Sequence, residues 1–373
     1  MLKHAEKDPA TNAVEGKSII MKERDSSLDA VKGFAILLVM LGHCLVWNNL
    51  SATDPYCYDF IKAVQMPLFM MISGYLAGMG MKERTLAQTG SLLLKRAAAY
   101  LIPFFVWPVL LHPFHPIQEV EGILWQLDKG LWFLGTLFLV MMLTLLAQWL
   151  AFGIVREQPA SKGQEKKRVW MRMVVFLGIM FLFLVLFFLQ GRSGNTFWSP
   201  GLTVTYLPYY VAGYLLTAFL KRLELWSVSR RITGVLWGSA AVVFVSLIIL
   251  CDLQKTESLK DIAIQFAAGM TGCFVCFYGV YRIKSGRFKE LLAKAGTVTL
   301  ELYIFQYAMH APFVHLRNLG ETQYSLYCPQ GVVTVLGTFF LMCAVSLPGI
   351  YLIREIPLLD GVLFGHINRL KKE

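Results

Sequence analysis

Long segments without any charged side chain are the feature that most restricts how this chain can fold. Residues 34–47, 131–150, 173–189 and 241–251 contain no Asp, Glu, Lys or Arg. A bilayer core about 30 Å thick needs about 20 apolar residues for one helical span, and several of these segments reach or approach that length. Charged residues make up only 16% of the chain, against about 25% in soluble domains. We therefore predict an all-α fold, a polytopic transmembrane helical bundle, and exclude a soluble globular domain.

Clusters of basic residues and turn residues separate about ten candidate spans. They are predicted at residues 28–48, 58–80, 92–111, 130–152, 171–190, 201–220, 232–251, 261–281, 296–315 and 329–353. The chain is accordingly divided into an N-terminal tail (1–27), one membrane domain (28–353) and a C-terminal tail (354–373). The sequence shows no obvious internal repeat and no linker long enough to separate a soluble domain, so we expect a single membrane domain.

The distribution of Lys and Arg predicts the orientation of these spans. With the N-terminus inside, 29 of the 35 basic residues fall on the cytoplasmic side and six outside, as the positive-inside rule requires. The N-terminal segment has no apolar region of the kind found in a cleavable signal peptide. We expect an integral protein of the cytoplasmic (inner) membrane with both termini cytoplasmic. Because the net charge of +11 is spread between spans, it indicates a lipid bilayer as partner and not a nucleic acid.

Ionisable residues inside spans are energetically costly and usually functional, and the first span carries the most informative set. Lys32 and His43 are eleven residues apart, which places them within about 20° of the same helix face and about 16 Å apart along the axis. Asp29 shares that face with Lys32, and Arg24 precedes the span. An imidazole can take a proton from an attacking hydroxyl, and a lysine can bind an anionic group. The alternatives are a His43 satisfied by a neighbouring helix or placed at the outer interface, and a Lys32–Asp29 ion pair at the membrane edge.

Further polar residues in or beside the spans are candidates for binding a substrate. Small and polar residues interrupt the second span, where they allow close packing or a cavity. Trp132 is interpreted either as a binding residue or as part of an interfacial aromatic belt. Cys273 and Cys276 form a C-x-x-C pair without the partners of a zinc site, so we predict no metal and read both as packing residues. The binding candidates are Arg96 and Tyr100 in the third span, Gln65, Ser73 and Tyr75 in the second, Trp132 at the outer edge of the fourth, and Glu301 and Gln306 in the ninth.

The first span resembles the signature of the membrane acyltransferase-3 family, in which an Arg and an Asp precede a basic residue, ten further residues and a histidine. Later landmarks of the family have similar segments here, and together they cover nearly the whole chain. The segments are 29–33 with His43, 65–75, 95–105, 131–134 and 296–303. The chain is most similar to the branch of sugar O-acetylases described as fucose 4-O-acetylase-like.

This resemblance implies transfer of an acyl group from cytoplasmic acyl-CoA to a hydroxyl of a cell-surface glycan or lipid-linked sugar. It implies acetyl-CoA as the donor, a carbohydrate as the acceptor and His43 as the catalytic base, with Lys32 and Arg96 as candidates for holding CoA phosphates or orienting the site. The sequence departs from the family pattern at three positions. Lys32 stands where many members have Arg, Tyr100 where a second Arg often falls, and Gln306 where His is frequent.

Two other classes of protein remain open on the sequence. In a transporter or exporter of polysaccharide or small molecules, the same polar residues would line a permeation path. In a structural membrane protein, removal of His43 would have no effect. The acceptor sugar, the acyl chain, the side on which transfer finishes and the formation of a homo-oligomer are not determined by the sequence.

Overall fold

The computed structural model describes residues 25–48, 55–156, 162–220, 229–255, 258–318 and 326–367. Within these ranges the chain is helical and contains no β-strand. Arg24 and the rest of the predicted N-terminal tail before residue 25 lie outside the described residues. The helices are α1 (Ser26–Trp47), α2 (Pro55–Met79), α3 (Leu86–Leu111), α4 (Pro116–Trp125), α5 (Trp132–Ile154), α6 (Lys162–Arg192), α7 (Pro200–Leu215), α8 (Arg230–Leu250), α9 (Leu259–Tyr281), α10 (Arg287–Thr297), α11 (Thr299–Asn318), α12 (Pro329–Glu355) and α13 (Pro357–Phe364).

All ten predicted spans fall on helices, and the predicted all-α polytopic membrane bundle is confirmed. Eight helices among the described residues are long and apolar enough to cross a membrane: α1, α2, α3, α5, α6, α8, α9 and α12. The other two predicted spans fall largely on α7 and α11. α7 has only 16 residues before a π-helical turn at Leu216–Leu220, and α11 carries polar residues such as Glu301 and Gln306.

Three shorter helices were not expected from the sequence. α10 lies in the loop before the ninth predicted span, and α13 lies in the segment predicted as the C-terminal tail. α4 and a 3-10 turn at Leu127–Lys129 lie in the loop before α5. The loop before α7 supports them, because the Trp198 amide donates to the Leu124 carbonyl at 2.7 Å and the Ser199 hydroxyl accepts from the Leu127 amide at 3.0 Å. Trp198 and Ser199 have positive φ angles of 59° and 42°, so this contact holds two residues in an uncommon backbone conformation.

α1 is at the centre of the bundle and packs against α2, α9, α10, α11 and α12. Its approach to α10 depends on two glycines, because a Cβ on Gly33 would meet the Leu292 carbonyl and a Cβ on Gly296 would meet the Asp29 carbonyl. α2 and α7 cross closely in the same way at Gly74 and Gly213. Small residues that let backbones approach are typical of helix packing in membranes. These crossings fix α1 and α2, the helices that carry Lys32, His43 and Gln65.

The two cysteines of the C-x-x-C pair are part of this packing. Cys273 and Cys276 are buried on α9, and both thiols are free.

Candidate active site

A cavity of about 430 Å³, here called the His43 cavity, lies between α1, α2, α11 and the segment that leads into α5. Four of the residues predicted from the sequence line it together, although they come from four different spans or span ends. These residues are His43, Gln65, Trp132 and Gln306. The cavity is therefore the place where the sequence-predicted chemistry is concentrated.

α1 presents His43 to the cavity on one helical face. The helix begins after Asp25, whose carboxylate accepts from the amides of Ser27 at 2.9 Å and Leu28 at 3.3 Å, as an N-cap does. The His43 ring is half-buried and stacks on Trp47, with ring centroids 5.6 Å apart and planes inclined by 27°. Trp47 in turn contacts the edge of His310 on α11 at 5.9 Å. The imidazole is thus held by an aromatic neighbour at the cavity wall.

Two glutamines in the cavity wall have polar atoms that the fold does not satisfy. Gln306 is 2% exposed, and neither its Oε1 nor its Nε2 has a hydrogen-bond partner among the described residues. The buried Oε1 of Gln65 is likewise unpartnered within those residues. It lies close to Gly42, since a Cβ on that glycine would be 2.7 Å from it. Buried polar atoms are normally paired, so these groups are available to a bound molecule.

A second cavity of about 280 Å³, here called the Lys32 cavity, lies next to the first and toward the other end of α1. Met66 and Tyr303 line both cavities, and the Tyr303 hydroxyl accepts from the Phe133 amide at 3.2 Å. The remaining predicted residues that line the Lys32 cavity are Lys32, Ser73, Arg96 and Tyr100. The two cavities therefore form a series along α1, with the imidazole in one and the cations in the other.

The cations of the Lys32 cavity differ in how they are held. Lys32 Nζ is 2.6 Å from Asp29 Oδ1, so the ion pair expected as an alternative does form, and Lys32 also lines the cavity. The Arg96 side chain is exposed and its Nη1 donates to the Tyr100 hydroxyl at 3.3 Å. Arg96, Tyr100 and Ser73 also border a further cavity of about 200 Å³ that is lined by Arg84 and Gln148. An elongated anionic molecule would meet several positive charges along this path.

A buried cluster of charges beside the Lys32 cavity was not found by sequence reasoning. Glu301, 2% exposed, forms an ion pair with Arg354 of α12. His366 follows α13 and lines the Lys32 cavity. Its Nδ1 is 2.8 Å from the buried Asp360 carboxylate, and its Nε2 is 3.9 Å from the Glu301 carboxylate. Glu301 itself lies in this cluster and not in the His43 cavity. The cluster joins α11, α12 and α13, whose residues are too far apart in sequence for their spacing to predict it.

The remaining predicted residues have other positions. Tyr75 is half-buried and packs against Phe277 with ring centroids 5.7 Å apart, outside both cavities. Trp132 is half-buried in the wall of the His43 cavity, where it stacks on Tyr206 at 5.1 Å. Trp132 thus contributes to the wall of the His43 cavity from the start of α5.

Sequence reasoning missed several residues that line the His43 cavity. On α11 they are Tyr303, Tyr307 and His310, which share a face with Gln306. Their spacing of i, i+3, i+4 and i+7 is the usual sign of one helical face, so this signal was present in the sequence.

Comparison with known proteins identifies the kind of domain that holds this site. A family model described as an acyltransferase domain matches residues 25–355. The chain is 25% identical to nodulation protein NolL of Mesorhizobium japonicum over 356 residues, which cover 88% of this chain and 87% of that protein. It is 24% identical to nodulation protein NolL of Sinorhizobium fredii over 383 residues, covering 94% of each. No solved structure matches the chain significantly.

Proposed function

The chain belongs to the membrane acyltransferase-3 family, and we propose that it transfers an acetyl group from acetyl-CoA to a hydroxyl of a carbohydrate acceptor. That the chain is a membrane acyltransferase follows from the family and the helical bundle. The donor, the acceptor and the role of His43 are the proposal. The single observation that carries it is the series of cavities along α1, with cations at one end and His43 at the other.

The series of cavities suits a long donor with a charged head and a reactive tip. The phosphates of acetyl-CoA are polyanionic. Lys32 and Arg96 line the Lys32 cavity, and Arg84 lines the neighbouring cavity of about 200 Å³ that Arg96 also borders. The thioester would then extend between Met66 and Tyr303, which line both the Lys32 and the His43 cavity. A donor in this position would bring its acyl carbon to the imidazole.

The orientation predicted from the distribution of basic residues supports delivery of the donor from the cytoplasm. The 29 basic residues predicted inside include Lys32, Arg84 and Arg96, so in this orientation the donor-binding end would face the compartment that holds acetyl-CoA. His43 would then lie toward the opposite face of the cytoplasmic membrane. A glycan or lipid-linked sugar of the cell envelope would approach from that side and suits the role of acceptor.

At the reacting centre, His43 acts as a general base. It takes the proton of the acceptor hydroxyl as the oxygen attacks the thioester carbon, and it returns the proton to the departing sulfur. Stacking on Trp47 holds the ring in position, and the unpartnered Oε1 of Gln65 supplies an acceptor for a sugar hydroxyl. No metal is required for these steps.

The proposal is tested by measuring release of the CoA thiol from acetyl-CoA by the purified protein in lipid nanodiscs. We expect His43→Ala to lower kcat by about 10²–10⁴-fold, the usual contribution of a general base, with little change in KM for acetyl-CoA. His112→Ala is the matched control, because His112 is exposed at the end of α3 and borders neither cavity. Wild-type turnover by a correctly inserted His43→Ala protein would refute the assigned base.

A second measurement separates an acyltransferase from an exporter. An exporter has no need to bind CoA, so we expect saturable binding of CoA by the purified wild-type protein. In cells, mass spectrometry of the surface glycan should show the loss of one acetyl group when the gene is deleted. Absence of both CoA binding and acetyl loss would contradict the proposed function.

A further inference from the structure

We propose that the side-chain amide of Gln306 is a catalytic group that donates a hydrogen bond to the thioester oxygen during acyl transfer. This inference rests on the proposed function, because it assigns a role in the same reaction. It begins from the observation that Gln306 is 2% exposed and that neither of its amide atoms has a partner among the described residues.

An unpaired amide buried in this way destabilises the fold, because it has lost its hydrogen bonds to water without gaining others. Gln65 in the same cavity has an unpartnered Oε1, but two glutamines that border other cavities, Gln148 and Gln265, donate hydrogen bonds from their amides. Gln148 Nε2 donates to the Lys82 carbonyl and its Oε1 accepts from the Tyr214 hydroxyl. Gln265 Nε2 donates to the carbonyls of Leu253 and Lys255, both at 2.8 Å. The fold thus pairs the amide N–H groups of Gln148 and Gln265, whereas neither amide atom of Gln306 is paired within the described residues.

The position of Gln306 determines which part of a ligand it meets. Gln306 lines the His43 cavity from α11, and His43 lines it from α1. On the same face of α11, the Tyr303 hydroxyl already accepts from the Phe133 amide. A thioester that reaches His43 therefore enters a cavity whose wall contains an unpaired N–H donor. The carbonyl oxygen of the thioester is the ligand atom that needs such a donor.

The need for a donor follows from the movement of electrons in the reaction. The acceptor oxygen forms a bond to the thioester carbon while its proton passes to a ring nitrogen of His43. The electron pair of the C=O double bond moves to the oxygen, which becomes negatively charged. When the double bond reforms, the C–S bond breaks and the sulfur leaves with its electron pair, taking the proton from His43. Gln306 Nε2 would stabilise the negative oxygen, as the donors of an oxyanion hole do.

The first test replaces the amide by an apolar side chain of similar size. We expect Gln306→Leu to lower kcat by about 100-fold with little change in KM for acetyl-CoA. The loss should be the same with methyl fucoside as the probe acceptor and with water, because the amide acts on the donor. Gln306→His should recover part of kcat, since an imidazole N–H can also donate. Gln265→Leu is the matched control and should retain wild-type kcat.

The second test changes the oxygen itself. In dithioacetyl-CoA a sulfur replaces the carbonyl oxygen, and sulfur is a weaker hydrogen-bond acceptor. The wild-type protein should be slowed by this replacement much more than Gln306→Leu, because the variant has no donor to lose. If Gln306 had only a structural role, Gln306→Leu would lower kcat by the same factor with acetyl-CoA and with dithioacetyl-CoA.

Thermal stability provides a third readout. Gln306→Leu should preserve or raise Tm, because it removes a buried unpaired amide, whereas Gln265→Leu should lower Tm. The inference is overturned if Gln306→Leu keeps wild-type kcat, or if it lowers Tm and slows both donors equally. A wild-type protein that transfers acetyl groups in those experiments would leave the proposed function standing. A wild-type protein that never consumes acetyl-CoA would overturn the proposed function and this inference with it.

Discussion

Lys32 shows at the scale of a single residue how one charge can serve both the fold and a ligand. Its ammonium nitrogen is 2.6 Å from Asp29 Oδ1, and Asp29 is only 5% exposed, so the ion pair offsets the cost of a buried carboxylate. The same side chain lines the Lys32 cavity. Removing the charge should therefore affect donor binding and stability together, and the experiment must separate the two effects.

We expect Lys32→Gln to raise KM for acetyl-CoA by about 10-fold, the equivalent of one lost charged contact of about 1.4 kcal/mol. Lys32→Arg keeps the charge and should stay near the wild-type KM. With S-acetylpantetheine, which lacks the nucleotide and its phosphates, Lys32→Gln and wild type should have the same KM. Lys294→Gln is the control at the same end of the bundle, because Lys294 is exposed and borders neither cavity. An equal rise in KM for both donors would show that Lys32 does not bind phosphates.

The pair Glu301 and Arg354 offers a second test at the residue scale. Because the Glu301 side chain is 3% exposed, Arg354→Gln would leave a buried carboxylate without its guanidinium partner. We expect a loss of about 3 kcal/mol in the free energy of unfolding, measured with a denaturant in detergent micelles. The double variant Glu301→Gln/Arg354→Gln should recover most of this loss, since no charge then remains unpaired. A double variant as unstable as Arg354→Gln would contradict the argument.

At the scale of elements, the close approach of α1 and α10 determines where Lys32 and Asp29 lie. Gly296→Ala would place a methyl group against the Asp29 carbonyl, which is backbone and cannot move aside. We expect this substitution to cost about 1–3 kcal/mol of stability and to lower acetyl transfer, because α1 must shift. A fall in Tm and in kcat/KM would be the measured result.

Gly337 on α12 is the control for that substitution. A Cβ on Gly337 would meet nothing within 4 Å, and alanine is favoured over glycine inside a helix by about 1 kcal/mol. Gly337→Ala should therefore match or exceed the wild-type Tm. If both variants behaved alike, the α1–α10 crossing would not be as restrictive as the backbone contacts indicate.

The elements also show which parts of the fold the sequence could predict. Segments such as 173–189 must be helical and long because the bilayer thickness sets their length, so spans were predictable from apolar runs. α4, α10 and α13 have 10, 11 and 8 residues, and their stability depends on packing against neighbours that a single sequence does not show. Trp107 on α3, for example, donates to the Leu363 carbonyl of α13 at 2.8 Å, a contact across 256 positions.

At the scale of the whole molecule, the sequence predicts which residues belong to the site, but it does not predict that they meet in one cavity. His43 was identifiable from its place inside a span, and Gln65 and Gln306 from their polarity there. Nothing in their spacing indicates that three helices bring them to one cavity, since that follows from the close crossings of the bundle. Glu301 shows the same limit, because its partner Arg354 lies on another helix.

The orientation of the whole bundle is the remaining prediction, and it decides whether donor and acceptor approach from opposite sides. In a variant with the native cysteines replaced, Phe114→Cys would lie in the loop between α3 and α4, where Phe114 is 90% exposed. Ser285→Cys would lie in the exposed turn before α10. A membrane-impermeant maleimide should label position 114 in right-side-out vesicles and position 285 in inside-out vesicles, and it should label both in detergent. Added acetyl-CoA should be consumed only by the inside-out vesicles, because the Lys32 cavity then faces the medium. The reverse labelling pattern would place Lys32 outside, and the donor could not then come from the cytoplasm.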